Sequence, residues 1–256
     1  MKGIILAAGF GARLSAYSGQ QSKVLLPIAG RSLIEHTLES FRDVGITDIV
    51  VVTGYRADIV REYIGDGSDR ELRIQYVFNP DYKLGNALSL YAARSAIEGE
   101  TFLLSMADHL ISSELLECVL KTPKSINVLA VDYKASGSDI AESTHVLVNK
   151  QGEIIHIGKN ISNWNGVDAG VFQLTSGIFN DIENLLLEKR DQYLLSEAIT
   201  RMIGDGHSLW ACDISKCFWY DVDTFEDLEI ARRIMSRRIT SEYQRTALFH
   251  SGRSGR

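Results

Sequence analysis

Apolar residues run almost unbroken through residues 2 to 8 (KGIILAA), 48 to 54 (DIVVVTG), 73 to 78 (RIQYVF) and 101 to 106 (TFLLSM). Strands covered on both faces read this way, because neither face turns to water. Between them the period changes. Leu33, Ile34, Thr37, Leu38, Phe41 and Val44 keep one face of a helix from Ser32, and Leu88, Tyr91, Ala92 and Ser95 mark one face of a helix after Asn86. Alternating strand and helix predict a doubly wound, mostly parallel sheet in an α/β chain.

From about residue 125 the pattern shifts to shorter strands, INVLAVD, THVLV, EIIHIG and AGVFQL, with few helical windows between them. A mixed second half with hairpin-like excursions follows. Helical spacing returns at 176 to 189, at 194 to 204 and from Thr224, where Thr224 is placed to cap and Glu226 and Asp227 suit the positive end of the helix dipole. The organisation expected is one domain over residues 1–236, followed by a basic tail or linker over 237–256.

The 256 residues suffice for one sizeable core. Lys and Arg number 27 against 33 Asp and Glu, a net charge of −6, which argues against nucleic acid or an anionic membrane as the main partner. Cys118, Cys212 and Cys217 are odd in number and lack CxxC spacing, so unpaired thiols in a cytoplasmic protein are expected and a zinc site is not. The chain opens on a strand rather than a signal peptide, and no apolar run approaches the ~20 residues of a membrane span.

ILAAGFGARL, residues 5 to 14, carries the first candidate chemistry. A dinucleotide fingerprint needs a third glycine opening a helix, but position 14 is Leu and residues 15 to 22 (SAYSGQQS) are polar and turn-prone. No Gly-Lys-Ser/Thr closes a Walker loop either. What remains is a glycine loop with Arg13 inside it and Lys23 ten residues on. Gly9 and Gly11 let backbone amides approach a triphosphate, and the two cations supply charge to its oxygens. The bland alternative is a tight turn with solvated cations.

FLLSMADH places Asp108 and His109 just past a strand end, where open α/β sheets bind ligands. WYDVDT delivers Asp221 and Asp223, two residues apart and therefore on one side of an extended chain. Carboxylates so placed suit Mg²⁺, which takes oxygen ligands and keeps several waters. Their alternative role is helix capping: Asp108 or Ser112 for the helix that follows the first, Thr224 alone for the last. KLGNALSL offers a glycine turn and Asn86 as N-cap, a helix start suited to a base or ribose edge.

LAAGFGARL followed by KVLLP resembles the signature of the nucleotidyltransferases that make nucleoside diphosphate sugars and related activated headgroups, with Ser22-Lys23 where that signature has Pro-Lys. The resemblance implies a Rossmann-like, three-layer α/β/α fold of nucleotide-diphospho-sugar transferase type. It assigns Leu6, Ala7, Ala8, Gly9, Gly11, Arg13 and Lys23 to the triphosphate, and Gly85, Asn86 and Ser89 to the nucleobase side. Mg²⁺ falls to Asp108 with Asp221 or Asp223, both of which stay open. Lys159 in HIGKN would meet the acceptor phosphate and Asp168 in GVDAGVF would line the acceptor pocket, so that Arg13, Lys23 and Lys159 are the catalytic cations.

GNALSLYAAR, LLSMADHLISSELLE, IGKNISNWNGVDAGVFQL and LWACDISKCFWYDVDTFEDLEIARR are, more narrowly, similar to the inositol-1-phosphate cytidylyltransferases. That implies CTP and a phosphomonoester, inositol 1-phosphate, as reactants and CDP-inositol as product. Members often carry a membrane phosphatidyltransferase-type domain, so the chain reads either as stand-alone or as the cytosolic part of a bifunctional enzyme, with 237–256 as the linker; the oligomeric state is open. Two rivals share the phosphate-handling residues: a phosphocholine cytidylyltransferase, whose aromatic cage would draw on Trp164 and Tyr193, and a sugar-1-phosphate nucleotidyltransferase. A non-catalytic nucleotide sensor is the rival from another class.

Overall fold

The computed structural model describes residues 1–14, 21–97, 99–135, 140, 142–188 and 190–251, without the side chains of 239 and 241–251. The turn-prone stretch 15–20 and the last residues of the basic tail, 252–256, lie outside the described residues. The strands used below are β1 Lys2–Ala7, β2 Asp48–Thr53, β3 Arg73–Phe78, β4 Phe102–Met106, β5 His109–Ile111, β6 Asn127–Asp132, β7 His145–Val148, β8 Ile154–Gly158, β9 Gly166–Leu174, β10 Leu209–Asp213 and β11 Trp219–Asp221. The helices are α1 Leu33–Asp43, α2 Ala57–Ile64, α3 Asn86–Ala92, α4 Ser113–Leu120, α5 Ile178–Leu186, α6 Leu195–Gly204 and α7 Phe225–Ser251.

β1 lies between β2 and β4, parallel to both, and β3 extends the parallel half at its edge. β9 runs antiparallel to β4 and β6, and β10 adds in parallel to β6. The reversal of β9 thus makes the sheet mixed but mostly parallel. The antiparallel pair β7 and β8 is attached to the start of β9.

Successive residues of the central strands serve opposite layers. Ile4, Leu6, Val50, Val52 and Leu104 pack with Ala87, Leu90, Ile182 and Ile199 of α3, α5 and α6. Ile5, Ala7, Ile49, Val51 and Leu103 pack with Leu38, Phe41, Val60 and Leu116 of α1, α2 and α4. Both faces are covered, which is why the strands read as apolar runs rather than alternations. A smaller cluster joins Leu14, Leu26, Ile28 and Leu33 to Leu110, Val222, Leu228 and Ala231, tying the segment after the glycine loop to the start of α7.

Three local expectations change. β3, read as covered on both faces, has no fully buried residue, because it lies at the edge of the sheet. The buried stripe in the α3 region is Ala87, Leu90, Ala93, Ala96 and Ile97, not Leu88, Tyr91, Ala92 and Ser95. α3 is sandwiched between the sheet and α5 and α6, so Tyr91 and Ala92 pack at the edge of the core and mimic a face of their own. The edge strand β10, not anticipated, pairs in parallel with β6 from Leu209 to Asp213.

α7 runs unbroken through residue 237 to Ser251. Among the described residues no helix is long and apolar enough to cross a membrane. β1 and β4 are adjacent although the chain leaves β1 toward β2, so order reverses between them, and the crevice beyond their carboxyl ends is where ligands bind in open α/β sheets.

Candidate active site

Lys23 lies buried beneath this crevice and does not itself line the cavity. Its residue is only 5% exposed, yet its Nζ donates to Asp108 Oδ2 at 3.0 Å and to Asp223 Oδ1 at 2.5 Å. Burial works against the ammonium, but Asp108, Asp223 and Asp221 outweigh it and hold the lysine pKa above its ordinary value. Gly11 makes the approach possible. A Cβ there would lie 2.8 Å from Lys23 Cβ, and its φ of +63° suits glycine. Gly11 therefore seats the lysine stem, a role additional to the one its motif suggests.

Burial favours the neutral Asp108 carboxyl, while Lys23 and His109 favour the charged form and prevail, so its pKa is lowered. Asp108 caps no helix: it leads into β5, and Ser112 occupies the N-cap of α4. Asp221 closes β11, directly opposite His109 in β5. Burial pushes its pKa up to about 6, with Asp108 and Asp223 adding to the rise against His109. Its Oδ1 is buried without a hydrogen bond among the described residues and stands 3.5 Å from His109 Nε2.

Asp223 is held by α7. The carboxylate of Asp227 accepts from Asp223 N at 3.2 Å, Thr224 N at 2.7 Å, Thr224 Oγ1 at 2.8 Å and Tyr220 Oη at 3.3 Å. Thr224 and Asp227 cap the helix, which leaves Asp221 and Asp223 free of that structural duty.

His109 Nδ1 donates to the Ala169 carbonyl at 2.9 Å, and its ring leans on Trp219 with centroids 6.0 Å apart. Burial alone would depress its pKa; Asp221, Asp108 and the Ala169 carbonyl raise it instead. The segments MADH, residues 106 to 109, and VDAG, residues 167 to 170, meet here. Gly170, at φ +73°, lacks the Cβ that would stand 2.4 Å from His109 Nδ1. Asp168 accepts from Gly170 N at 2.7 Å, and burial pushes its pKa up to about 6.

A cavity of about 380 Å³ collects most of the residues expected from the sequence: Leu6, Ala8, Gly9, Gly85, Asn86, Ser89, Asp108, Lys159, Asp168, Asp221 and Asp223 line it. Ala7 does not; its side chain belongs to the core. Arg13 sits at the rim, its guanidinium 2.7 Å from Glu142 and 3.6 Å from Asp223. Sequence reasoning passed over Tyr82, Lys83, Glu142, Thr144 and Trp219, which also line the cavity, as does Gly170. Glu142 carried no readable signal.

Asn86 departs from expectation. Gly85 is the N-cap of α3, and Asn86 Oδ1 instead accepts from Leu195 N, at the start of α6, at 2.8 Å. A Cβ on Gly85 would meet Tyr193 O at 2.2 Å, so the two helix starts press together and the amide caps its neighbour. Ser89 is buried and accepts from Asn79 Nδ2 at 3.0 Å.

The residues fit a divalent cation. One atom, Lys23 Nζ, already lies within contact of both Asp108 and Asp223, so their carboxylates are spaced for a single positive centre. Asp108, His109 and Asp221 also bring ligand atoms within 4.8 Å of one another, but His109 offers nitrogen, which Mg²⁺ disfavours. Five carboxylates, Asp108, Glu142, Asp168, Asp221 and Asp223, line the cavity, so a polyanion needs a counter-cation to enter.

A family model described as nucleotidyl transferase matches residues 2–237. The chain is 33% identical over 238 residues to a protein of Thermococcus kodakarensis named bifunctional IPC transferase and DIPP synthase, covering 92% of this chain and 51% of that one. A protein of the same name from Rubrobacter xylanophilus is 33% identical, with 90% and 51% covered. The chain spans about half the length of these curated relatives. The structure described as the inositol-1-phosphate CTP transferase from T. maritima superposes with a TM-score of 0.82 at 25% identity, covering 92% of this chain and 95% of that one.

Proposed function

From a chain that belongs to the nucleotidyl transferase family, we infer that the cavity transfers a cytidylyl group from CTP to inositol 1-phosphate, releasing pyrophosphate and CDP-inositol. The carrying observation is Lys23 bridged between Asp108 and Asp223 at the switch point of the sheet. CTP and the inositol phosphate are supported by the structural likeness to the T. maritima transferase.

An oxygen of the acceptor phosphate attacks the α-phosphorus in line, forming the new O–P bond as the bond to pyrophosphate breaks. The attacking oxygen is already anionic, so no general base is needed, and positioning and charge neutralisation remain. Leu6, Ala8 and Gly9 line the triphosphate end with Arg13 at its rim, and Gly85, Asn86 and Ser89 form the nucleobase wall. Lys159 meets the acceptor phosphate, and Asp168 accepts from acceptor hydroxyls. Asp108 and Asp223 would hold Mg²⁺, while Asp221 faces His109. When bound, the ion supplies Lewis-acid neutralisation of phosphate oxygens. Lys23 neutralises these carboxylates from beneath and supplies charge toward the phosphates.

Trp164 and Tyr193, the pair a choline cage would use, do not line the cavity. Trp164 stacks on His145, and Tyr193 Oη donates to the Glu188 carbonyl. The test crosses CTP, UTP, ATP, GTP and dTTP against inositol 1-phosphate, phosphocholine and glucose 1-phosphate with Mg²⁺, reading pyrophosphate. Release confined to CTP with inositol 1-phosphate is expected. Release with another pair overturns the reactants and keeps the mechanism, and silence across the grid overturns the enzymatic reading.

A further inference from the structure

We propose that His145 is a positioning residue for acceptor binding, acting through the carbonyl of Lys159. The inference rests on the reading of Lys159 given above. His145 opens β7, with Gly158 at the end of β8 opposite it on one side and Val167 of β9 on the other. It therefore lies between the strand that delivers Lys159 and the strand that delivers Asp168. Its Nδ1 donates to Lys159 O at 3.3 Å, and its ring stacks on Trp164 with centroids 4.3 Å apart and planes 17° from parallel.

The loop 159–165 is thereby pinned at both ends. At the far end Asn165 exchanges two hydrogen bonds of 2.8 Å with the Val148 backbone. Asn163, at φ +59°, precedes the return to Trp164, which is 41% exposed and covers the histidine. His145 itself is 4% exposed. With the proton on Nδ1, its Nε2 is buried and has no hydrogen-bond partner among the described residues. A buried polar atom left unpaired is destabilising, so a ring selected for packing alone would be phenyl. What imidazole adds is the donor that fixes the Lys159 carbonyl.

Lys159 lines the cavity, and among the described residues no salt bridge includes its ammonium. A long, exposed side chain gains precision only from its backbone. Holding the carbonyl fixes where the lysine begins, and therefore where the acceptor phosphate is met.

The experiment measures separate KM values for inositol 1-phosphate and CTP in His145→Phe, His145→Asn and Lys159→Ala, with melting temperatures recorded. His145→Phe, which keeps the stack and loses the donor, should raise acceptor KM about 10-fold, the scale on which groups behind a binding residue act. CTP KM should stay within about twofold, since the nucleotide end is untouched. His145→Asn places an amide donor near the lost Nδ1 and should recover most of the loss. In a Lys159→Ala background His145→Phe should add nothing further. Raised acceptor KM in Lys159→Ala but not in folded His145→Phe overturns the inference alone. Unchanged acceptor KM in both overturns the Lys159 reading and the inference with it.

Discussion

Gly170 and His109 occupy each other's space: the Cβ that Gly170 lacks would stand 2.4 Å from the imidazole Nδ1. Gly170→Ala must therefore displace a ring tied to Ala169 and facing Asp221, and must also strain a backbone at φ +73°. A destabilisation on the order of 1–3 kcal/mol is expected from the backbone alone, with loss of turnover. Adding His109→Ala should restore part of the stability but none of the activity. A double-mutant cycle in denaturant measures the coupling, and strict additivity of the two changes would count against this contact.

Asp168 gives a pH-dependent prediction. Its pKa is pushed up to about 6 from an ordinary 3.8, so between those values the folded state binds more protons than the unfolded one. The stability tied to this carboxyl is thus fully present below about pH 4 and lost as pH rises through about 6, at most about 2–3 kcal/mol. Asp168→Asn should accordingly outlast the unsubstituted protein in urea at pH 8 and match it near pH 3.5. An equal advantage at both pH values would contradict the burial argument. The same variant should bind inositol 1-phosphate more weakly.

Asp108, Asp221 and Asp223 crowd around Lys23, and single substitutions separate their duties. Asp108→Ala and Asp223→Ala should each lower kcat by about 10²–10³ and abolish calorimetric Mg²⁺ binding, while circular dichroism stays unchanged. Lys23 retains one carboxylate partner in either variant. Asp221→Ala should keep measurable Mg²⁺ binding. If Asp221→Ala abolishes it and Asp223→Ala does not, the ion belongs with Asp108 and Asp221.

Ser22 is where the phosphate-loop signature departs from its usual proline. It is fully buried, its Oγ has no partner among the described residues, and its φ of −63° is already that of proline. Ser22→Pro should therefore stabilise by about 0.4–1 kcal/mol through the unfolded chain, with kinetics unchanged. Thermal melting decides; a lowered midpoint would show that the amide or hydroxyl is used.

The central parallel strands β1, β2 and β4 were legible because strands buried twice over cannot hide their composition, whereas β3 reads the same way and is not buried. Lys23, Asp108 and the Asp221 and Asp223 pair were legible because each follows an apolar strand or a glycine loop. What could not be read depends on contacts between distant segments. Asn86 looks like a cap for its own helix and caps α6 instead. Asp227 looked like a residue favourable to a helix dipole, yet it organises the backbone around Asp223. Glu142 meets Arg13 only because the fold sets two loops side by side. That Lys23 contacts Asp223 rather than Asp221 likewise depends on the fold, which no spacing supplies.

The bridge from Lys23 to Asp223 spans 200 residues. During synthesis at about 5–20 residues per second, the lysine waits on the order of tens of seconds before its second carboxylate leaves the ribosome. The glycine loop emerges first and its lysine is paired last. A nascent chain can form β1 and β2 long before Asp223 can reach Lys23, so on the function proposed above competence to bind a nucleotide should appear only after residue 223 has emerged, as a late and concerted event.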